Sequence, residues 1–199
     1  MNQKKKIYQR DITLVFGKTG MGKTQWARQY LKTIDRVLVL DPLEEYHECV
    51  FYDDLSDLID HCNKYKIFRC GYNNLTDFPL LCRITKTIPE TTLVIEEAQR
   101  VLPPRKLLDE NFTELIYRGR HYGSGLLMVA QRASTVDIAV RSQFTRLITF
   151  RQSESKDVDW ICDCSGFDLA DEILGLEPLE YFEISPSSYE KKKLEKILK

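Results

Sequence analysis

The stretch Gly17-Lys18-Thr19-Gly20-Met21-Gly22-Lys23-Thr24 packs three glycines and two lysines into eight positions. The apolar run Ile12–Phe16 precedes it, and a helix-like pattern with Trp26, Ala27, Tyr30 and Leu31 follows. Strand, glycine loop and helix form the context in which G-x-x-x-x-G-K-[ST] means a phosphate cradle. Glycine lets the backbone turn so that successive N–H groups point at an anion. The helix N-terminus adds partial positive charge and Lys23 a full one. Thr24 would place its hydroxyl on Mg²⁺. The expected ligand is a nucleoside triphosphate, held by Gly17, Lys18, Thr19, Gly20, Met21, Gly22, Lys23 and Thr24.

A second group lies in Thr92-Leu93-Val94-Ile95-Glu96-Glu97-Ala98-Gln99. Buried strands seldom end in two acids, because an unpaired buried carboxylate is costly. Beside a phosphate loop, Glu96 can hold the metal through water, and Glu97 can orient and deprotonate the attacking water. In isolation the pair reads equally well as the start of a solvated turn or helix. A third run, Gly119-Arg120-His121-Tyr122-Gly123, leads through an apolar strand to Gln131-Arg132. The Gln131 amide can donate to phosphate and accept from water, so it is a candidate γ-phosphate sensor. A plain helix or loop cap is the competing reading.

These groups need a scaffold. Strand-like runs at Ile12–Phe16, Val37–Leu40, Lys66–Cys70, Thr92–Ile95, Leu126–Ala130, Leu147–Phe150 and Tyr181–Ile184 alternate with helical patterns. The clearest of those patterns are Lys23–Lys32, Leu55–Tyr65, Leu107–His121 and Leu169–Leu174. Near-continuous Val/Ile/Leu strands between helices predict a mainly parallel α/β sheet covered on both faces. Ligands in such folds sit beyond the carboxyl ends of strands, where GKTGMGKT falls. The 199 residues are expected to form a single domain with a basic segment at 1–10 and a Lys-rich tail at 189–199, read as an exposed helix.

Composition excludes several classes. With 43% hydrophobic and 30% charged residues the chain is an ordinary globular sequence, and no apolar run approaches the ~18 residues of a membrane span. MNQKKKIYQR lacks the apolar region of a secretory signal. Six cysteines include no C-x-x-C and read as buried free thiols. The net charge of −1 hides six arginines within 118–151 against one acid, Asp137. Guanidinium forks there suit phosphate, whether of nucleotide or of nucleic acid.

The order GKTGMGKT, LVIEEAQ, GRHYGSGLLMVAQRAS and TRLITFR resembles the FtsK/HerA superfamily of DNA-pumping ATPases. RVLVLDP resembles the second strand of its HerA-like members, and ICDCSGFDLADEILGLEPLEYFEI is similar to its closing segment. Within the superfamily the chain resembles the genome-packaging ATPases of tailless icosahedral viruses with an internal membrane. The resemblance implies a RecA-like P-loop NTPase fold using ATP and Mg²⁺, and a ring, usually a hexamer, around double-stranded DNA. Capsid or vertex proteins would be its partners, in the host cytoplasm or on the virion. It assigns Glu97 and Lys23 to catalysis and Gln131 to sensing. Arg120 becomes the arginine presented to a neighbour's nucleotide, with Arg118 and Arg146 next; Arg132 touches phosphate or holds its loop. Glu96 departs from the family's usual Asp, which puts the metal geometry in doubt. Pro103-Pro104-Arg105-Lys106 reads first as a solvated turn, yet Arg105 and Lys106 are what it offers for DNA contact.

Rival readings are a filamentous-phage-type assembly ATPase, a helicase-like ATPase of the same superfamily, a P-loop kinase or GTPase, and a nucleotide-binding module that does not hydrolyse. Asn63-Lys64-Tyr65-Lys66 lacks the acid that guanine recognition needs.

Overall fold

The computed structural model describes residues 11–195. Nine strands run in chain order as β1 (Ile12–Phe16), β2 (Arg36–Leu40), β3 (Val50–Tyr52), β4 (Phe68–Tyr72), β5 (Thr92–Ile95), β6 (Gly125–Ala130), β7 (Arg146–Thr149), β8 (Glu180–Ser185) and β9 (Ser188–Lys193). The helices are α1 (Lys23–Leu31), α2 (Leu55–Lys64), α3 (Phe78–Thr87), α4 (Glu110–Arg118), α5 (Ile138–Arg141), α6 (Ser155–Ser165) and α7 (Ala170–Leu174). The strands form one sheet in the order β3-β4-β2-β5-β6-β1-β7-β8-β9, a mixed α/β fold with a mostly parallel sheet. Every residue of β1 is buried. Successive side chains on a strand face opposite ways, so unbroken burial requires cover on both faces.

The described chain divides into two compact units. The first holds Leu31–Glu96 and Leu107–Leu127. In it β2 pairs in parallel with both β4 and β5, and β3 with β4. Asp54 caps α2 by accepting the Ser56 N–H, and Asp109 caps α4 by accepting that of Phe112. Phe78 on α3 packs against Phe112 on α4 with ring centroids 5.4 Å apart. The cap at Asp109 explains why α4 starts at Glu110 rather than at Leu107, and its far end tightens into a 3-10 turn at Gly119–His121.

The second unit holds Ile12–Tyr30, Glu97–Lys106 and the described residues from Met128 onward. Here β1 pairs in parallel with β7, and β7, β8 and β9 pair antiparallel in turn. Helix α6 ends at Gly166, whose φ of +74° suits a glycine cap.

The tail expected as a helix is a strand as far as Lys193, and residues 196–199, like 1–10, lie outside the described residues. The reason is cross-strand chemistry: Lys191 and Lys193 pair with Glu180, and Lys192 with Glu183, both on β8. Tyr189 adds a ring contact to Phe167 at 4.7 Å. The lysine run is therefore spent on β8 and is not a free basic patch. All six cysteines are unpaired thiols. No helix among the described residues is long and apolar enough to cross a membrane.

Candidate nucleotide site

In the second unit the chain leaves β1 at Gly17 with φ +152°. A Cβ there would lie 2.5 Å from the Cβ of Phe150, so β7 and the loop approach too closely for any side chain. Phe150 N–H donates to the Phe16 carbonyl at 2.8 Å, and Lys18 N–H to that of Arg151 at 2.9 Å. Gly20 and Gly22 have φ of +81° and +109°. A Cβ on Gly22 would meet Leu179 at 2.9 Å, whereas one on Gly20 would meet nothing within 4 Å. The amides of Thr19, Gly20 and Gly22 make no hydrogen bond among the described residues. Lys23 opens α1, is 9% exposed, and its ammonium donates back to the Lys18 carbonyl at 3.3 Å. No acid occupies the first turn of α1. Unpartnered amides, an open side at Gly20, a buried ammonium and a helix N-terminus without an acid fit a polyphosphate.

The loop shares a cleft of about 300 Å³ with residues far away in sequence: Lys18 and Thr19 line it together with Gln131, Arg132, Gln152, Ser153 and Glu154. Gln131, which follows β6, is thus brought to the same cleft as the loop. Arg132 is held from behind. Its Nε donates to Asp157 Oδ2 at 2.9 Å, and Glu154 lies 3.7 Å from its outer nitrogen. Asp157, fully buried on α6, also accepts the Ser134 N–H at 2.7 Å through Oδ1. The hydrogen bond from Arg132 to Asp157 raises the guanidinium above its ordinary pKa. Gln152 is 2% exposed and donates to Thr149 Oγ1 at 3.2 Å and to the Phe150 carbonyl at 3.3 Å. Sequence reasoning missed Asp157 and Gln152. Neither sits in a motif, and burial was their only signal.

The two acids fall on either side of the unit boundary. Glu96, in the first unit, is 3% exposed and accepts the Tyr46 phenol at 2.7 Å. Glu97, in the second, sits at φ +52°, ψ +46°, a left-handed conformation that costs a non-glycine residue about 1 kcal/mol. The Gln99 amide donates to its Oε2, while Gln99 Oε1 is buried without a partner. Strain of this kind tends to gather at functional positions. Among the described residues no three His, Cys, Asp or Glu side chains form a metal cluster. Mg²⁺ needs no such cage, since it is commonly held by one or two protein oxygens plus substrate phosphates. Thr24, the second residue of α1, carries a hydroxyl of the kind Mg²⁺ takes.

Arg118 and Arg120 are exposed at the end of α4 and in the turn after it, and the Arg120 side chain makes no hydrogen bond or ion pair among the described residues. Arg146, the third candidate for action on a neighbour, is engaged at home. It stacks on Tyr30 with its guanidinium 5.1 Å from the ring centroid and pairs with Glu183 at 3.5 Å. Arg105 and Lys106 are exposed, and Arg105 N–H donates to Asp137 Oδ2 at 3.2 Å.

Neither a family model nor a curated protein sequence matches the chain. Solved structures do. The genome packaging NTPase B204 from Sulfolobus turreted icosahedral virus 2, in complex with AMPPCP, aligns with a TM-score of 0.77 at 20% identity, over 92% of this chain and 97% of that one. VirB4 of Thermoanaerobacter pseudethanolicus aligns with a TM-score of 0.63 at 12% identity, over 94% and 90%. The N-terminal domain of zonular occludens toxin from Neisseria meningitidis aligns with a TM-score of 0.54 at 16% identity, over 94% of each chain. These are FtsK/HerA-type P-loop ATPases, and the chain has their fold.

Proposed function

We propose that this chain is an ATPase that drives double-stranded DNA, as a ring of identical subunits, into a preformed viral capsid. The observation that carries the reading is the cleft shared by Lys18, Thr19, Gln131 and Arg132 beside unpartnered glycine amides. Likeness to NTPases solved with AMPPCP and with ATP-gammaS supports it.

In this reading the loop amides and Lys23 hold the β- and γ-phosphates. Glu97, oriented by Gln99, takes a proton from water, whose oxygen attacks the γ-phosphorus. The bond to the β-phosphate oxygen breaks, giving ADP and inorganic phosphate. Thr24 would offer its hydroxyl to a bound Mg²⁺, whose charge would offset that of the phosphate oxygens, and the carboxylate of Glu96 is the acid expected to serve the same ion. Gln131 follows the γ-phosphate, and Arg132, braced by Asp157, keeps that loop in place. Arg120 reaches a neighbour's nucleotide, an effect worth ~10³–10⁵ in rate where it operates. Loss of γ-phosphate contacts then biases the subunit interface, and exposed Arg105 and Lys106 grip backbone phosphates.

The test is phosphate release with and without double-stranded DNA at several protein concentrations. DNA stimulation and a cooperative concentration dependence are expected, both abolished by Lys23→Ala. Hydrolysis by a monomer, indifferent to DNA, would favour a small-substrate phosphotransferase. DNA affinity should fall steeply with salt, and Arg105→Ala with Lys106→Ala should flatten that slope. A sequence-specific footprint that persists at high salt contradicts the backbone grip.

A further inference from the structure

Gln152 lines the nucleotide cleft from the segment after β7, is 2% exposed, and belongs to no motif. That segment is tied to the phosphate loop, since the Arg151 carbonyl accepts the Lys18 N–H. The Gln152 amide can point only one way. The Thr149 hydroxyl donates to the Phe150 carbonyl at 3.0 Å, so its one proton is used and its oxygen can only accept. The Phe150 carbonyl is an acceptor too. Both take a hydrogen from Gln152 Nε2, at 3.2 Å and 3.3 Å, and a reversed amide would set oxygen against oxygen at each. The other end of the amide, Oε1, makes no hydrogen bond among the described residues. The sealed side-chain atoms without a partner there are Thr13 Oγ1, Thr91 Oγ1 and Gln99 Oε1. Gln152 Oε1 is not one of them, so it is open to the cleft that the residue lines.

A fixed amide oxygen with free lone pairs calls for a donor. An ionised phosphate offers none. The amine and hydroxyls of a nucleotide lie at the end away from its γ-phosphate, whereas Gln131, in the same cleft, is read as following that phosphate. The donor that hydrolysis brings to this end is water. An attacking water has two hydrogens: the general base takes one, and the other leaves the molecule free to turn unless a second acceptor holds it. We propose that Gln152 Oε1 is that second acceptor, a further catalytic residue that aims a lone pair of the attacking water at the γ-phosphorus. One proton passes to Glu97. The hydrogen held by Gln152 stays on the water oxygen and leaves with it on inorganic phosphate. The inference rests on the ATPase reading and deepens it.

The test compares the full-length wild type with Gln152→Met, which keeps the length of the side chain and removes the acceptor. Phosphate release is measured with double-stranded DNA, and binding of ADP with beryllium fluoride and with aluminium fluoride is measured in Mg²⁺ buffer. The beryllium complex imitates ATP before attack; the aluminium complex imitates the phosphoryl group under attack, with its water in place. Gln152→Met should lower kcat about 10²-fold, the cost of a misplaced reactant, and leave the nucleotide KM within about twofold. It should weaken the aluminium complex more than about tenfold and the beryllium complex less than about twofold. A residue that only shaped the loop would weaken both alike. That result, or a kcat within about threefold of wild type, overturns the role and leaves the ATPase reading standing. If thermal unfolding shows Gln152→Met to be unfolded, a crystal structure of the wild type with ADP and aluminium fluoride decides. A water between Oε1 and the fluoride group is expected; ribose, base, a neighbouring copy's side chain or nothing at Oε1 overturns the role. A wild type that releases no phosphate and forms neither complex overturns the ATPase reading itself, and the role with it.

Discussion

Replacing Asp157 with Ala removes a fully buried carboxylate that takes two hydrogen bonds on one loop. The Ser134 N–H loses its charged acceptor, which costs roughly 1.5–3 kcal/mol. Arg132 is 41% exposed, so solvent screens its half of the pair, and that half is worth at most about 1 kcal/mol. The expected destabilisation is about 2–4 kcal/mol. With a urea slope near 2 kcal/mol/M, the midpoint should fall by about 1–2 M. Asp157→Asn keeps an acceptor for Ser134 and should lose only about 1 kcal/mol. The same loop carries Gln131 into the cleft, so Asp157→Ala should lower kcat about tenfold under conditions where the protein remains folded, with Asp157→Asn between it and wild type. Urea unfolding and steady-state phosphate release measure both. An Asp157→Ala midpoint within 0.2 M of wild type, or an unchanged kcat, would refute the view that α6 braces the Gln131–Arg132 loop.

Gly17→Ala should destabilise by about 1–3 kcal/mol, because its methyl group would sit 2.5 Å from the Phe150 Cβ, an atom that cannot swing aside. Gly20→Ala meets nothing within 4 Å and should cost only about 1 kcal/mol of left-handed strain, yet weaken nucleotide binding more than tenfold; isothermal titration and unfolding curves separate the two. Gln99→Leu should lower kcat with little change in nucleotide KM, and Glu97→Gln should bind nucleotide without releasing phosphate; a Gln99→Leu enzyme with full kcat removes the orienting role. Burial pushes the Cys49 and Cys164 thiols up to about 12. Because the neutral thiol is favoured below that value, only about 10⁻⁴ of each is thiolate at pH 8, against roughly a quarter of an ordinary thiol. Iodoacetamide labelling followed by mass mapping should therefore be slow at pH 8 and rise about tenfold per pH unit; labelling at the rate of a free thiol contradicts it.

The parts of this protein written in local chemistry were legible in one dimension. GKTGMGKT between an apolar strand and a helix identified the loop, because φ values of +81° and +109° are natural only to glycine. Runs such as Ile12–Phe16 and Thr92–Ile95 read as strands to the residue, since unbroken apolar character leaves little else. Helix α3 was harder to see because Pro79 looks like a breaker, although proline is at home in a first helical turn. The three-residue β3 carries too short a pattern to show. The tail read as a helix because its lysines and leucines allow one; the acids of β8, not its own residues, made it a strand.

By itself the sequence determined that a phosphate loop, an acid pair and a strand-ending glutamine stand in that order on an α/β scaffold. Each depends only on residue type and near neighbours. Tertiary structure alone decided what supports them. Asp157 reaches Arg132 across 25 positions and Tyr46 reaches Glu96 across 50. The value of such contacts lies in burial and in the direction of a single hydrogen bond, neither of which leaves a periodic trace in the chain. The same holds for Arg146, whose contacts with Tyr30 and Glu183 have no signature in the chain.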